Sequence, residues 1–134
     1  MIEAVTSEHF AELYDIINDG AMVYQGVIPA DCWHEPYMAA AELQDELAAG
    51  VEFWGWQENG RFQGVMGRQD RGDVILIRHA YVRRRCQQQG IGSRLLSYLR
   101  AGTSKPILMG TWAAAWWAVR FYEKHGFTLV TPEE

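Results

Sequence analysis

The chain has 134 residues, 49% of them hydrophobic, and a formal net charge of -5. This length and composition predict a single domain over residues 1–134 with one packed core. The negative charge argues against a nucleic-acid-binding protein, which usually presents a basic face. The longest apolar runs are too short to cross a membrane, and the first residues lack the pattern of a signal peptide.

The two cysteines, Cys32 and Cys86, are far apart in the sequence and do not suggest a disulfide framework. Their sparse use is typical of a protein from a reducing compartment, so the predicted location is the cytoplasm. Neither cysteine has a Cys or His neighbour at the spacing of a zinc site, and the sequence therefore predicts no metal.

The first half of the chain predicts one strand and two helices. The strand is "IEAV", and the first helix is "TSEHFAELYDIINDG", with Thr6 or Ser7 as its N-cap. The segment "AMVYQGVIPADCWHEPYM" combines two prolines with many large side chains, which favours an irregular but ordered connection. The second helix is "AAAELQDELAAG", closed by Gly50.

The second half predicts three antiparallel strands followed by a crossover. The strands "VEFWGWQ" and "FQGVMGRQ" are joined by an Asn59-Gly60 turn, and "VILIRHAYV" follows. Next come the helix "GIGSRLLSYLRAG", a buried strand "PILMGTW", the helix "AAWWAVRFYEKHG" and a further strand beginning at "FTLV". A strand–helix–strand crossover predicts a parallel pair, so the fold class is α/β, with a mixed sheet and helices on both faces.

The glycine loop "CQQQGIGS" lies between a strand and a helix. The first N–H groups of that helix lack internal partners, and Gly90 and Gly92 place no Cβ in the way of a ligand, so the loop suits an anion. A dinucleotide fits poorly, because Leu95 occupies the third glycine position of the Rossmann pattern. On the loop alone, a turn without a ligand remains the alternative.

The longer stretch "AYVRRRCQQQGIGSRLL" resembles the acetyl-CoA loop of the GNAT superfamily of N-acetyltransferases. Gln87, Gly90 and Gly92 match the pattern Q/R-x-x-G-x-G/A, and Val82 matches the end of the preceding strand. Arg84 stands where the family often has proline.

The following helix, "AWWAVRFYEKHGF", resembles the family's N-x-x-A-x-x-F-Y-x-x-x-G-F run, although Ala115 replaces the asparagine. The resemblance extends from about Val51 to Phe127 and implies a mostly antiparallel sheet with a splayed central parallel pair. Because the family usually adds a strand after "FTLV", we expect either a missing last strand or a partner chain over the open edge, and we predict a homodimer.

The resemblance implies acetyl-CoA as co-substrate, with the pantetheine arm in the cleft between the splayed strands. A positive cluster, Arg83 to Arg85, adjoins the loop and predicts at least one contact to a cofactor phosphate; a solvated surface is the alternative. The implied cofactor contacts are Ala80, Tyr81, Val82, Arg84, Arg85, Gln87, Gln88, Gln89, Gly90, Ile91, Gly92, Ser93 and Tyr122.

Two residues are candidates for the chemistry of acetyl transfer. Tyr122 matches the family tyrosine that protonates the leaving thiolate. His79 lies on the strand that lines the cleft and titrates in the range of a general base, although a structural histidine is the alternative. The connection before the second helix borders the acceptor side in this superfamily. It supplies the acceptor candidates Trp33, His34, Glu35 and Tyr37.

These features predict an N-acetyltransferase that acts on a small-molecule or peptide amine, with no nucleic acid or membrane as partner. A non-catalytic acyl-CoA-binding sensor remains open at this point, because the asparagine is replaced and the base is not identified. A protein-interaction domain without a cofactor is disfavoured by the intact glycine loop.

Overall fold

The computed structural model describes residues 1–110 and 115–128, and within them a five-stranded sheet forms the centre of the molecule. The strands are β1 (Ile2–Ala4), β2 (Glu52–Glu58), β3 (Arg61–Asp70), β4 (Ile75–Val82) and β5 (Ile107–Met109). The helices are α1 (Phe10–Gly20), α2 (Ala40–Ala48), α3 (Ile91–Ala101) and α4 (Trp116–Lys124). The strands lie in chain order, antiparallel except for the parallel pair β4–β5. The predicted fold class is confirmed.

Most predicted elements appear in the predicted order, with two differences. The first helix begins only at Phe10, because Ser7–His9 form a 3-10 turn capped by Thr6. The strand predicted as buried is short, and Leu108 is 51% exposed because it faces a cavity rather than the core. The strand predicted at "FTLV" falls largely outside the described residues, as does Trp112.

Two apolar clusters cover the two faces of the sheet. One joins α1 and α2 to β2 and β3, with Ile16, Leu43 and Phe53 among its members. The other joins α3 and α4 to the opposite face, with Leu95 and Tyr122 among its members. Burying each such side chain contributes about 1.5–3 kcal/mol, so these faces fix the positions of all four helices described. No helix in the described ranges is long and apolar enough to cross a membrane.

A β-bulge in β4 changes the face on which its side chains lie. Gly67 pairs with Arg78 and Val65 with Tyr81, so β4 has one residue more than β3 over this interval. His79, in this interval, has φ +56°, a conformation that non-glycine residues seldom adopt. As a result Ile77 packs in the cluster of α3 and α4, whereas Tyr81 packs against the cluster of α1 and α2.

Glycines allow close approach beside this bulge. A Cβ on Gly67 would lie 2.5 Å from the Arg78 carbonyl oxygen and 3.0 Å from Val51 Cγ1. A Cβ on Gly20, at the end of α1, would lie 2.8 Å from Tyr81 Cβ. The end of α1 and the bulged part of β4 are therefore held at a spacing that only glycine permits.

We predict that Gly67→Ala lowers the free energy of unfolding by about 1–3 kcal/mol, because the new methyl group meets backbone rather than a movable side chain. Gly110→Ala is the matched control, since a Cβ there meets no described atom within 4 Å. Urea denaturation of both variants measures the difference. Equal stabilities would contradict the close packing at the bulge.

Candidate functional site

The candidate site is a cleft that opens where β4 separates from β5. The two strands pair from Ile75 opposite Ile107 to Ile77 opposite Met109, whereas β4 continues to Val82. Cavities of about 750 Å³ and 600 Å³ lie along this part of β4. Four residues line both cavities, so the cavities meet at one junction: Tyr24, Ala80, Tyr81 and Tyr122.

The larger cavity contains the glycine loop and the start of α3. Gly90 is the N-cap of α3 with φ +80°, and a Cβ there would meet no described atom within 4 Å. The first hydrogen bond of the helix is donated by the Arg94 N–H to the Gly90 carbonyl (3.1 Å), so the N–H groups of the first turn have no partner within the helix. An open space in front of unpaired N–H donors suits an anionic group.

Two side-chain hydrogen bonds hold this loop in place. The Gln87 side-chain amide donates to the Val82 carbonyl at 3.3 Å, and the buried Cys86 thiol donates to Gln63 Oε1 at 2.7 Å. A Cβ on Gly92 would lie 3.3 Å from the ring of Phe121. The second glycine therefore also allows α4 to pack on the first turn of α3.

The three consecutive arginines before the loop have different surroundings. The Arg83 guanidinium donates to Asp15 (2.7 Å) and to the Phe62 carbonyl (3.0 Å). Arg84 binds Asp19 through its backbone N–H (2.8 Å) and its guanidinium (3.2 Å).

Partial burial opposes ionisation of Asp19, but the Arg84 hydrogen bonds and the Arg83 and Arg84 charges outweigh it and lower the pKa of Asp19. The Asp15 and Asp19 carboxylates on α1 thus neutralise two of the three arginines. Arg85 lies exposed, next to the loop in sequence.

Most of the predicted cofactor residues line the larger cavity, but Arg84, Arg85 and Gln89 do not. The cavity also contains residues that the sequence analysis missed, notably Tyr24, Trp117 and Lys124. Lys124 lies three positions after Phe121 and therefore on the same face of the helix, so the sequence alone could have identified it. Tyr24 and Trp117 come together only in the fold, with ring centroids 5.6 Å apart.

The smaller cavity lies on the side of α2 and the irregular connection. Of the four predicted acceptor residues only Tyr37 lines it. Trp33 packs against Tyr37, with ring centroids 5.9 Å apart. His34 and Glu35 are exposed and lie outside the lining; the His34 ring bonds to the Pro36 carbonyl at 2.9 Å.

Three tyrosines, Tyr24, Tyr81 and Tyr122, line the junction of the cavities, and Tyr37 lines the smaller cavity only. Burial, followed by the nearby Tyr37, Tyr24 and Tyr122, raises the pKa of Tyr81 far above its usual value of 10.0. Burial, with a smaller contribution from Tyr24, also raises the pKa of Tyr122. Both phenols are therefore protonated at neutral pH and can donate hydrogen bonds or a proton into the cleft.

His79 lines the smaller cavity beside a carboxylate of α2. Its Nε2 is buried and lies 3.4 Å from Glu46 Oε2, an ion-pair distance rather than a well-formed hydrogen bond. The ring stacks on Phe53, and the side chain is 16% exposed. Burial lowers the pKa of His79; Glu46 opposes this shift, whereas Arg78 adds to it. The histidine is therefore neutral at pH 7 and able to accept a proton.

A family model for the acetyltransferase (GNAT) domain matches residues 18–134 of the chain. A comparison with the curated proteins finds no match.

Several solved structures have the same fold at low sequence identity. The PaiA N-acetyltransferase of Thermoplasma acidophilum, in complex with coenzyme A, has a TM-score of 0.81 at 17% identity, over 97% of this chain and 90% of that one. The ribosomal-protein-S18-alanine N-acetyltransferase of Escherichia coli has a TM-score of 0.78 at 18% identity, over 98% and 79%. A GNAT family acetyltransferase of Brucella melitensis in complex with acetyl-CoA has a TM-score of 0.69 at 15% identity, over 96% and 82%.

We predict that His79 titrates below its ordinary pKa of 6.5 and that Glu46→Gln lowers this pKa further, because the carboxylate favours the charged ring. Nuclear magnetic resonance of the histidine ring, assigned by loss of its signal in His79→Gln, measures the shift. Glu52→Gln is the control, since Glu52 pairs with Arg68 elsewhere on the sheet. A pKa that rises in Glu46→Gln would contradict the contact.

Proposed function

Because the chain belongs to the GNAT family of acetyltransferases, we propose that it transfers the acetyl group of acetyl-CoA to a primary amine by direct attack in a ternary complex. The observation that carries this proposal is the junction of two cavities at Ala80, Tyr81 and Tyr122. A junction of this kind allows two substrates to enter from opposite sides and meet at one point. Positioning two reactants in this way accounts for much of the rate in direct transfer.

The larger cavity is the proposed acetyl-CoA site. The N–H groups at the start of α3, with Gly90 and Gly92, hold the pyrophosphate, and Lys124 adds a positive charge to the same cavity. The likeness to structures that contain coenzyme A and acetyl-CoA supports this assignment. Acetyl-CoA supplies an activated acetyl thioester. Ala80 to Val82 bind its pantetheine arm along β4, so that the thioester lies at the junction.

Tyr122 is the proposed general acid. The neutral amine attacks the thioester carbonyl, the new C–N bond forms, the C–S bond breaks, and the departing thiolate takes the Tyr122 phenolic proton. Burial makes the phenol a weaker acid, but the same loss of solvation makes a thiolate released beside it more basic, so the proton can still pass between them. The attacking nitrogen loses a proton as the amide forms, and this proton passes through solvent to the Tyr122 phenolate and restores the phenol.

His79 is the proposed base that keeps the amine neutral. Glu46 covers its Nε2 edge, and the exposed part of the ring lines the acceptor cavity. Since its pKa is lowered, the ring is uncharged at neutral pH and accepts the proton that the acceptor ammonium must lose before attack.

We predict that Gly90→Leu weakens acetyl-CoA binding by about 10- to 30-fold, because the side chain displaces an anion from the start of the helix. Gly60→Leu is the matched control: its φ is +78° against +80° for Gly90, and a Cβ at either position meets no described atom within 4 Å. Both variants carry the same backbone strain, but only Gly90 lines the cavity. Calorimetric titration measures the affinities, and equal affinities would contradict the cofactor site.

We predict that Tyr122→Phe lowers turnover by ~100- to 10,000-fold, the usual effect of removing a general acid, with little change in acetyl-CoA affinity. Tyr98→Phe, on the exposed face of α3, is the control. Release of free thiol measures the rate under conditions in which chemistry is limiting. A variant as fast as the wild type would exclude the acid role. Tight binding of acetyl-CoA by the wild-type chain, without turnover on any amine, would instead support a non-catalytic sensor.

A further inference from the structure

The acceptor cavity has one wall made of aromatic rings. Tyr24, Tyr37, Tyr81 and Tyr122 all line it. The ring centroid of Tyr81 lies 6.0 Å from that of Tyr37 and 6.3 Å from that of Tyr24, at interplanar angles of 69° and 87°. Rings in this edge-to-face arrangement interact favourably with a further aromatic ring placed among them, beyond the apolar area that the contact buries.

The remaining apolar part of the cavity lining is aliphatic. It is formed by Leu76 and Ile77 of β4 and by Leu108 and Met109 of β5. Leu108 is 51% exposed and is among the few large apolar side chains of the described residues to remain so open. A flat apolar group against these residues and the tyrosine rings would cover this surface, whereas hydroxyls placed against the aliphatic residues would lose water without gaining partners.

The cavity also offers little charge to a ligand. Of the described residues that line it, Arg78 alone carries a full charge, and its guanidinium is held by Gln69 (3.1 Å) and Glu46 (3.4 Å). His79 is neutral at pH 7 for the reasons given above. No carboxylate belongs to the described lining.

We infer that the acceptor is a small primary amine whose only other large group is an aromatic ring, bound with the ring among the tyrosines and the amine at the junction. This inference rests on the proposed function and adds the substrate class. A polyamine is disfavoured because no carboxylate of the described lining would hold its second ammonium group. An amino sugar is disfavoured because those of its hydroxyls that lie against the aliphatic residues, beyond reach of the tyrosine phenols, would lose water without replacing their hydrogen bonds.

The test compares kcat/KM of the wild-type chain, with saturating acetyl-CoA, for four amines of stated chemistry. Phenethylamine carries the ring, 2-cyclohexylethylamine has similar size without aromaticity, spermidine is a polyamine, and glucosamine is an amino sugar. We expect kcat/KM for phenethylamine to exceed that for spermidine and glucosamine by about 10- to 100-fold, the factor that one unpaired buried polar or charged group costs. The kcat/KM for phenethylamine should exceed that for 2-cyclohexylethylamine by about three- to tenfold.

A pair of variants tests whether the tyrosine wall is responsible. Tyr37→Leu should raise KM for phenethylamine by about three- to tenfold and leave kcat nearly unchanged, because Tyr37 lines the acceptor cavity but is not among the residues that line both cavities. Tyr98→Leu removes a tyrosine from α3, outside both cavities, and should leave both constants unchanged. Thermal denaturation of both variants confirms that they are folded.

The outcomes separate the inference from the proposed function. Faster acetylation of spermidine or glucosamine than of phenethylamine would overturn the aromatic acceptor and leave the acetyltransferase proposal standing. An unchanged KM for phenethylamine in folded Tyr37→Leu would overturn it as well. If acetyl-CoA binds but no amine is acetylated, the proposed function itself fails. A strong preference for phenethylamine that depends on Tyr37 supports both.

Discussion

Strand β4 separates from β5 after Ile77, and the geometry of the whole site follows from that separation. A strand that stayed paired to its end would fill the space that the two cavities share at Ala80 and Tyr81. The bulge at His79 accompanies the separation and increases the local twist, as bulges generally do. Gly67 on β3 makes room for the bulge, and Gly20 lets the end of α1 rest directly on Tyr81.

The bulge also explains a contact that a regular strand forbids. Consecutive side chains of a β-strand point to opposite faces of the sheet. Arg78 and His79 are consecutive, yet both contact the Glu46 carboxylate on α2. The extra residue in β4 turns both toward α2 and places Tyr81 next to Tyr24 and Tyr37. One backbone irregularity therefore assembles the proposed base, the carboxylate beside it and the aromatic wall.

Burial acts in opposite directions on the two groups proposed for the chemistry. It raises the pKa of Tyr122 and lowers that of His79, because in each case the charged form is the one that loses solvation. The cleft thus keeps a protonated acid and an unprotonated base at the same pH. The ion pairs between α1 carboxylates and Arg83 and Arg84 involve none of the residues that line the two cavities. Those ion pairs fasten α1 to the segment that leads into the glycine loop.

The sequence by itself determined the elements and the proposed cofactor loop. Turn residues, apolar periodicity and the run Gln87-x-x-Gly90-x-Gly92 are local signals, and local signals specify helices, strands and the α3 N-terminus. The bulge was not predictable, since "VILIRHAYV" reads as a continuous strand and only its pairing with β3 shows where its register breaks.

Only the tertiary structure decided which side chains meet. The sequence placed Arg83, Arg84 and Arg85 together beside the proposed phosphate-binding loop, but carboxylates from α1 neutralise the first two. It proposed four acceptor residues on one connection, of which the fold brings only Tyr37 into the cavity, and it overlooked Tyr24 and Trp117. The physical reason is that a cleft is lined by segments far apart in the chain, and their contacts depend on packing across the sheet, which no local pattern encodes.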